Sequence, residues 1–67
     1  MFLIQINTNQ MRVYPYTQLI SVNEEQILIQ MKQRRLCIEG KRLSLSAMDE
    51  VEIWIKGEFR KVELSDE

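Results

Sequence analysis

Val51-Glu52-Ile53-Trp54-Ile55-Lys56-Gly57-Glu58-Phe59 carries the alternation on which the reading of this chain turns. Val51, Ile53 and Ile55 alternate with Glu52, Trp54 and Lys56. In a strand, successive side chains point to opposite faces, so the first three present an apolar face to a core. Working outward, Leu43 and Leu45 alternate with Arg42, Ser44 and Ser46, and Phe2, Ile4 and Ile6 alternate with Leu3, Gln5 and Asn7. The residue types agree, because Val and Ile pack well on a pleated surface.

The breaks between these runs read as β-turns. Glu39-Gly40-Lys41 separates residues 36–38 from 43–45, and Lys56-Gly57-Glu58 separates residues 51–55 from 59–64. Both glycines of the chain are therefore expected at hairpin tips, where a positive φ is needed. Pro15, between Tyr14 and Tyr16, lacks a ladder donor and marks an edge, a bulge or a strand break. Alternation plus regular turn signals predicts an all-β fold: seven or eight short strands in a small antiparallel meander, forming a two-layer sandwich or small barrel.

One segment supports two readings. Residues 23–35 make a helix if Asn23 is the N-cap, Glu24 and Glu25 fill the first turn, and Arg34 and Arg35 lie near the end. They make a strand if the alternation of Ile27, Ile29 and Met31 with Gln26, Leu28 and Gln30 decides.

With 67 residues the chain holds one domain, 1–67, and a core with a thin stability margin. Cys37 is the sole cysteine and there is no histidine, so neither an internal disulfide nor a tetrahedral Cys/His zinc site can be built. Self-association is the remaining remedy for a small sheet with exposed edges, and a homo-oligomer is expected. An unpaired cysteine without a leader-like segment fits a reducing cytoplasm. No apolar run approaches the roughly 20 residues of a membrane span.

The formal charge is −1, from 9 basic and 10 acidic residues, which argues against a dedicated nucleic-acid binder. The basic residues Lys32, Arg34, Arg35, Lys41 and Arg42 nevertheless cluster, and the chain from Asp49 onward is mainly acidic. Both are ordinary solvated faces unless a partner uses them.

No constellation for catalysis, cofactor binding or metal binding stands out. Cys37 has no histidine partner and reads as a packed or half-exposed thiol. The serines lack a glycine elbow, and Asp49-Glu50 reads as turn polarity rather than a ligand pair. Two features suggest protein-contact surfaces. Trp54 lies on the polar face of the best strand, where it is either an interface anchor or part of a strand buried on both sides. Tyr14 and Tyr16 either flank a partner groove or simply pack around Pro15. With the basic cluster, these three aromatics also offer an alternative: a small β-barrel that stacks RNA or single-stranded DNA.

The run Leu36-Cys37-Ile38-Glu39-Gly40-Lys41-Arg42-Leu43-Ser44-Leu45, followed by Ile55-Lys56-Gly57, resembles the YabP/YqfC family of sporulation proteins. That family carries "leucine, x, isoleucine, x, glycine, x, x, leucine" and closes on a second "isoleucine, x, glycine". The resemblance spans roughly residues 11–64 and favours a strand at Gln26–Met31. It implies a non-enzymatic protein of the mother-cell cytoplasm, linked to assembly of the spore envelope, with no catalytic residues or cofactors to carry over. Its expected partners are a second copy of itself or another sporulation protein, with nucleic acid not favoured.

Overall fold

The computed structural model describes residues 2–7 and 9–66, with the backbone alone for residues 2–6. Six strands succeed one another: β1 (Phe2–Asn7), β2 (Gln10–Tyr14), β3 (Gln18–Val22), β4 (Gln26–Met31), β5 (Arg34–Met48) and β6 (Ile53–Asp66). All pair antiparallel in one sheet of order β1-β2-β6-β5-β4-β3. The all-β expectation holds. No helix forms among the described residues, so none is long and apolar enough to cross a membrane.

The strand count is corrected, and the cause is the position of the glycines. Gly40 and Gly57 lie inside β5 and β6 rather than at hairpin tips, so four expected short strands fuse into two long ones. Register breaks at Glu39/Gly40, at Lys41/Ser44 and again at Leu45/Ala47. A bulge inserts unpaired residues, bends its strand and sharpens the twist. Here the bulges crease both strands at the same level. Gly57 has φ 141° and Arg42 φ 55°, and the two positions face each other across the pair.

The crease divides the sheet. On one side β1, β2, residues 53–56 of β6 and residues 44–48 of β5 form a ply. On the other lie β3, β4, residues 34–41 of β5 and residues 58–66 of β6. Folding one ply onto the other buries Met11, Val13, Ile53 and Ile55 against Ile27, Ile29, Met31, Leu36 and Ile38, with Leu43 in the same cluster. The two layers are thus one sheet folded over, and its outer strands β1 and β3 are not paired with each other among the described residues. Each core strand alternates as its sequence does: Met11 and Val13 inward from β2, Ile27, Ile29 and Met31 from β4, Ile53 and Ile55 from β6. The alternation of Phe2, Ile4 and Ile6 lies outside the described side chains.

Residues 26–31 are a strand, as the family resemblance favoured. Asn23 still caps: its Oδ1 accepts the N–H groups of Glu25 and Gln26, both at 2.8 Å. The segment after this cap is extended rather than helical because alternation, not capping, decides which residues can be buried. The Glu24 and Glu25 carbonyls accept from the N–H groups of Leu43 (2.9 Å) and Gly40 (3.0 Å), so this turn satisfies backbone donors that the crease leaves without a ladder partner.

The β5–β6 connection is tied in the same manner. Asp49 Oδ1 accepts the N–H of Glu52 at 2.8 Å and of Val51 at 2.7 Å, consistent with its reading as turn polarity. These two donors, Glu52 first, hold its carboxyl below the ordinary value of 3.8. A carboxylate favoured by folding stabilises the fold above its unfolded value, and that contribution is lost as pH falls and the group is protonated. Asp49→Ala is therefore expected to lower the melting temperature at neutral pH. The gap between variant and parent should narrow as thermal scans move below pH 3.8, and a gap independent of pH would contradict the capping role.

Candidate protein-contact surface

The first ply has an outward face as well as the buried one. On β2, Met11 and Val13 point inward, so Gln10, Arg12 and Tyr14 point outward. On β6, Ile53 and Ile55 are buried, so Trp54 points outward and Lys56 is exposed. The register sets Arg12 opposite Trp54. Directly opposed residues in an antiparallel pair stand close enough for their side chains to touch.

Three groups then converge. The Arg12 guanidinium carbon lies 4.0 Å from the centre of the Tyr14 ring and 5.6 Å from that of Trp54. A cation over an aromatic face is held by the ring quadrupole, worth about 0.5–1 kcal/mol where water has access. Arg12 Nε also pairs with Glu52, which comes directly after the Asp49 turn. Both ionic side chains are about a quarter to a third exposed, at 32% and 24%. The guanidinium is thereby fixed from two sides, and Trp54 is half-buried beneath it rather than projecting freely.

Of the residues singled out from sequence, the structure brings Trp54 and Tyr14 to one patch through Arg12. Tyr16 is placed otherwise. Its ring packs against the buried cluster, its hydroxyl donates to the Asp49 carbonyl at 2.5 Å, and its N–H donates to the Val51 carbonyl at 3.3 Å. It fastens the β2–β3 connection to the β5–β6 connection. Arg12 was missed by sequence reading, although its place between Met11 and Val13 puts it on the face of Tyr14 by simple alternation. Its meeting with Trp54 joins positions too far apart in the chain for any local pattern to reveal.

The basic cluster does not form one patch on a single element. Lys32, Arg34 and Arg35 gather at the β4–β5 turn, while Lys41 and Arg42 lie further along β5 at the crease. One acidic residue of β6 stands beside the first group: Arg34 Nε is 3.2 Å from Asp66. Cys37 is half-buried on the outer face and accepts a weak hydrogen bond from Gln26 Nε2 at 3.4 Å.

The protein is a creased single-sheet β domain with an outward cluster of arginine and aromatic rings. The chain belongs to the YabP family, whose model matches residues 3–67, essentially its whole length. Membership points to a role in sporulation. A search of curated proteins found no match.

Proposed function

We propose that this chain is a non-enzymatic assembly or adaptor factor in spore envelope formation, working in the mother-cell cytoplasm through protein–protein contacts. The observation that carries the reading is the Tyr14–Arg12–Trp54 cluster on the outward face of β2 and β6. Tryptophan, tyrosine and arginine supply most of the residues that dominate binding energy in protein interfaces. Side chains already held in one arrangement lose less entropy when a partner covers them, so the Glu52 pairing and the ring contacts prepare this patch for contact. The family background supplies the sporulation setting, and the absence of any assembled nucleophile, base or ligand set in the sequence supports a binding role over catalysis.

The test is Trp54→Ala, compared with the parent by affinity capture from sporulating cells and by circular dichroism. The expected result is a folded domain whose association is weakened by about 2 kcal/mol or more, roughly 30-fold. A folded variant that captures the same partners equally well would remove Trp54 from the contact surface. An unfolded variant would make it a structural residue instead. Replacing Arg34 and Arg35 together should leave association nearly intact, since exposed rim charges contribute little. If that double variant loses RNA that the parent retains at physiological salt, a nucleic-acid role replaces this one.

A further inference from the structure

The two outer strands of the sheet are short and irregular. β1 has a register shift between Gln5 and Asn7, and β3 between Leu19 and Ser21. Bulges of this kind spoil an edge for pairing with another chain. A third edge lies within β6. β2 covers β6 only from Ile53 to Lys56, so beyond the crease β6 has β5 on one side and no paired strand on the other among the described residues. Residues 61–66 pair with residues 34–39 of β5 in unbroken register, which keeps this segment regular. It contains no proline, and every residue from 60 to 66 is exposed.

This edge is apolar on one face. Val62 and Leu64 stand opposite the buried Ile38 and Leu36, so they share the core-facing side, yet each is 39% exposed. On the other face lie Lys61 and Glu63, 3.2 Å apart, with Glu39 4.0 Å from Lys61.

We propose that the free edge of β6 pairs antiparallel with β6 of a second copy of this chain, Val62 opposite Val62 of that copy across a two-fold axis. A two-fold contact places each residue twice, so its self-complementarity can be read from the sequence. With Val62 on the axis, Lys61 faces Glu63 of the second copy, and Glu63 faces its Lys61. The four charges alternate in sign around the axis. The apolar row of Val22, Ile27, Ile38 and Val62 continues into the same row of the other chain. Sliding the register by two residues either way sets Lys61 against Lys61 or Glu63 against Glu63, and like charges directly opposed are destabilising. The bulge at Arg60 ends the regular stretch of β6, so the matched oppositions are those next to the axis, and Asp66 beyond them is engaged by Arg34. The charge pattern thus selects this occupant and this register.

The contact lies beyond the crease from Trp54, so it stands independently of the adaptor reading. Sedimentation equilibrium over a concentration series is the test, with circular dichroism as a check on folding. The parent is expected to approach twice its 8.0 kDa mass, and Trp54→Ala to do the same. Lys61→Glu alone and Glu63→Lys alone should each weaken self-association at least about tenfold, because each opposes like charges twice across the axis. Mixing the two variants should restore a dimer, since every opposed pair is then of opposite sign. In a Cys37→Ser background, Val62→Cys should form a covalent dimer under mild oxidation, because opposed Cα atoms sit about 4.5–5.5 Å apart, within disulfide reach. A parent that stays at 8.0 kDa throughout overturns the proposal. So does a dimer indifferent to both charge reversals, or one that the mixture fails to restore.

Discussion

Gly40→Ala is expected to cost at least about 3 kcal/mol and to leave much of the population unfolded. A Cβ on Gly40 would lie 1.9 Å from the Glu58 carbonyl oxygen and 3.0 Å from its carbon. Both are backbone atoms of the partner strand, so no rotamer change relieves the overlap. The strands must separate where the β5–β6 pair is creased, which also pulls on Leu43, 3.2 Å away at its Cδ2. A domain of this length holds only about 3–10 kcal/mol in total, at the usual stability per residue. Urea denaturation checks the expectation through a lowered midpoint, and a midpoint within error of the parent would mean that the two strands are further apart at this level.

Gly57→Val is the second large effect, by a different route. Gly57 has φ 141°, a region that essentially only glycine occupies, and its N–H donates to the Asn9 carbonyl at 3.0 Å. A side chain there would meet the Arg42 carbonyl oxygen at 2.8 Å and the Leu43 Cα at 2.9 Å. Conformational strain of about 1–3 kcal/mol is joined by those contacts, and valine's branch worsens them. The melting temperature should fall by several degrees, since about 1 kcal/mol shifts a domain this small by roughly 4–8 °C. An unchanged melting temperature would exclude a positive φ at this position.

These two residues also show where sequence reading stopped. Alternation identified the buried faces of β4 and β6 directly: Ile27, Ile29 and Met31 are buried, as are Ile53 and Ile55. It also put Trp54 on the outward face. It recognised Gly40 and Gly57 as special but assigned them to hairpin tips. Positive φ was expected at both, yet only Gly57 has it; Gly40 is required because the Glu58 carbonyl leaves no room for a Cβ, and neither position reverses the chain. Whether the chain reverses depends on the partner strand, and the partner of Gly40 is Phe59, outside any local window. The opposite error was available at the β4–β5 turn. There the chain does reverse, at Lys32 and Gln33, with Gln33 supplying φ 62° and no glycine to announce it. Val51 shows a further limit: alternation placed it with Ile53 and Ile55, yet it is 56% exposed because β6 begins only at Ile53.

The contact patch was half legible for the same reason. Tyr14 and Trp54 stand out by residue type, and Arg12 shares a face with Tyr14 by period. That the guanidinium sits between the two rings is a consequence of β2 pairing with β6, a relation between the beginning and the end of the fold.

Because β5 and β6 run through both plies, neither ply owns its strands. Removing the first ply would take away the start of β6 and the end of β5, about a third of each, and the remaining sheet would lose the continuity of the strands at its centre. Domains often open piecewise, in units that unfold with different free energies. Here the shared strands are expected to tie the layers into one cooperative unit. One of the five pairings must also wait for a distant partner: β2 finds β6 only after some forty residues of intervening chain are arranged. Pairing across so long a separation is expected to slow folding relative to a helical domain of the same length. With β5 and β6 common to both, the two layers are expected to unfold in a single transition.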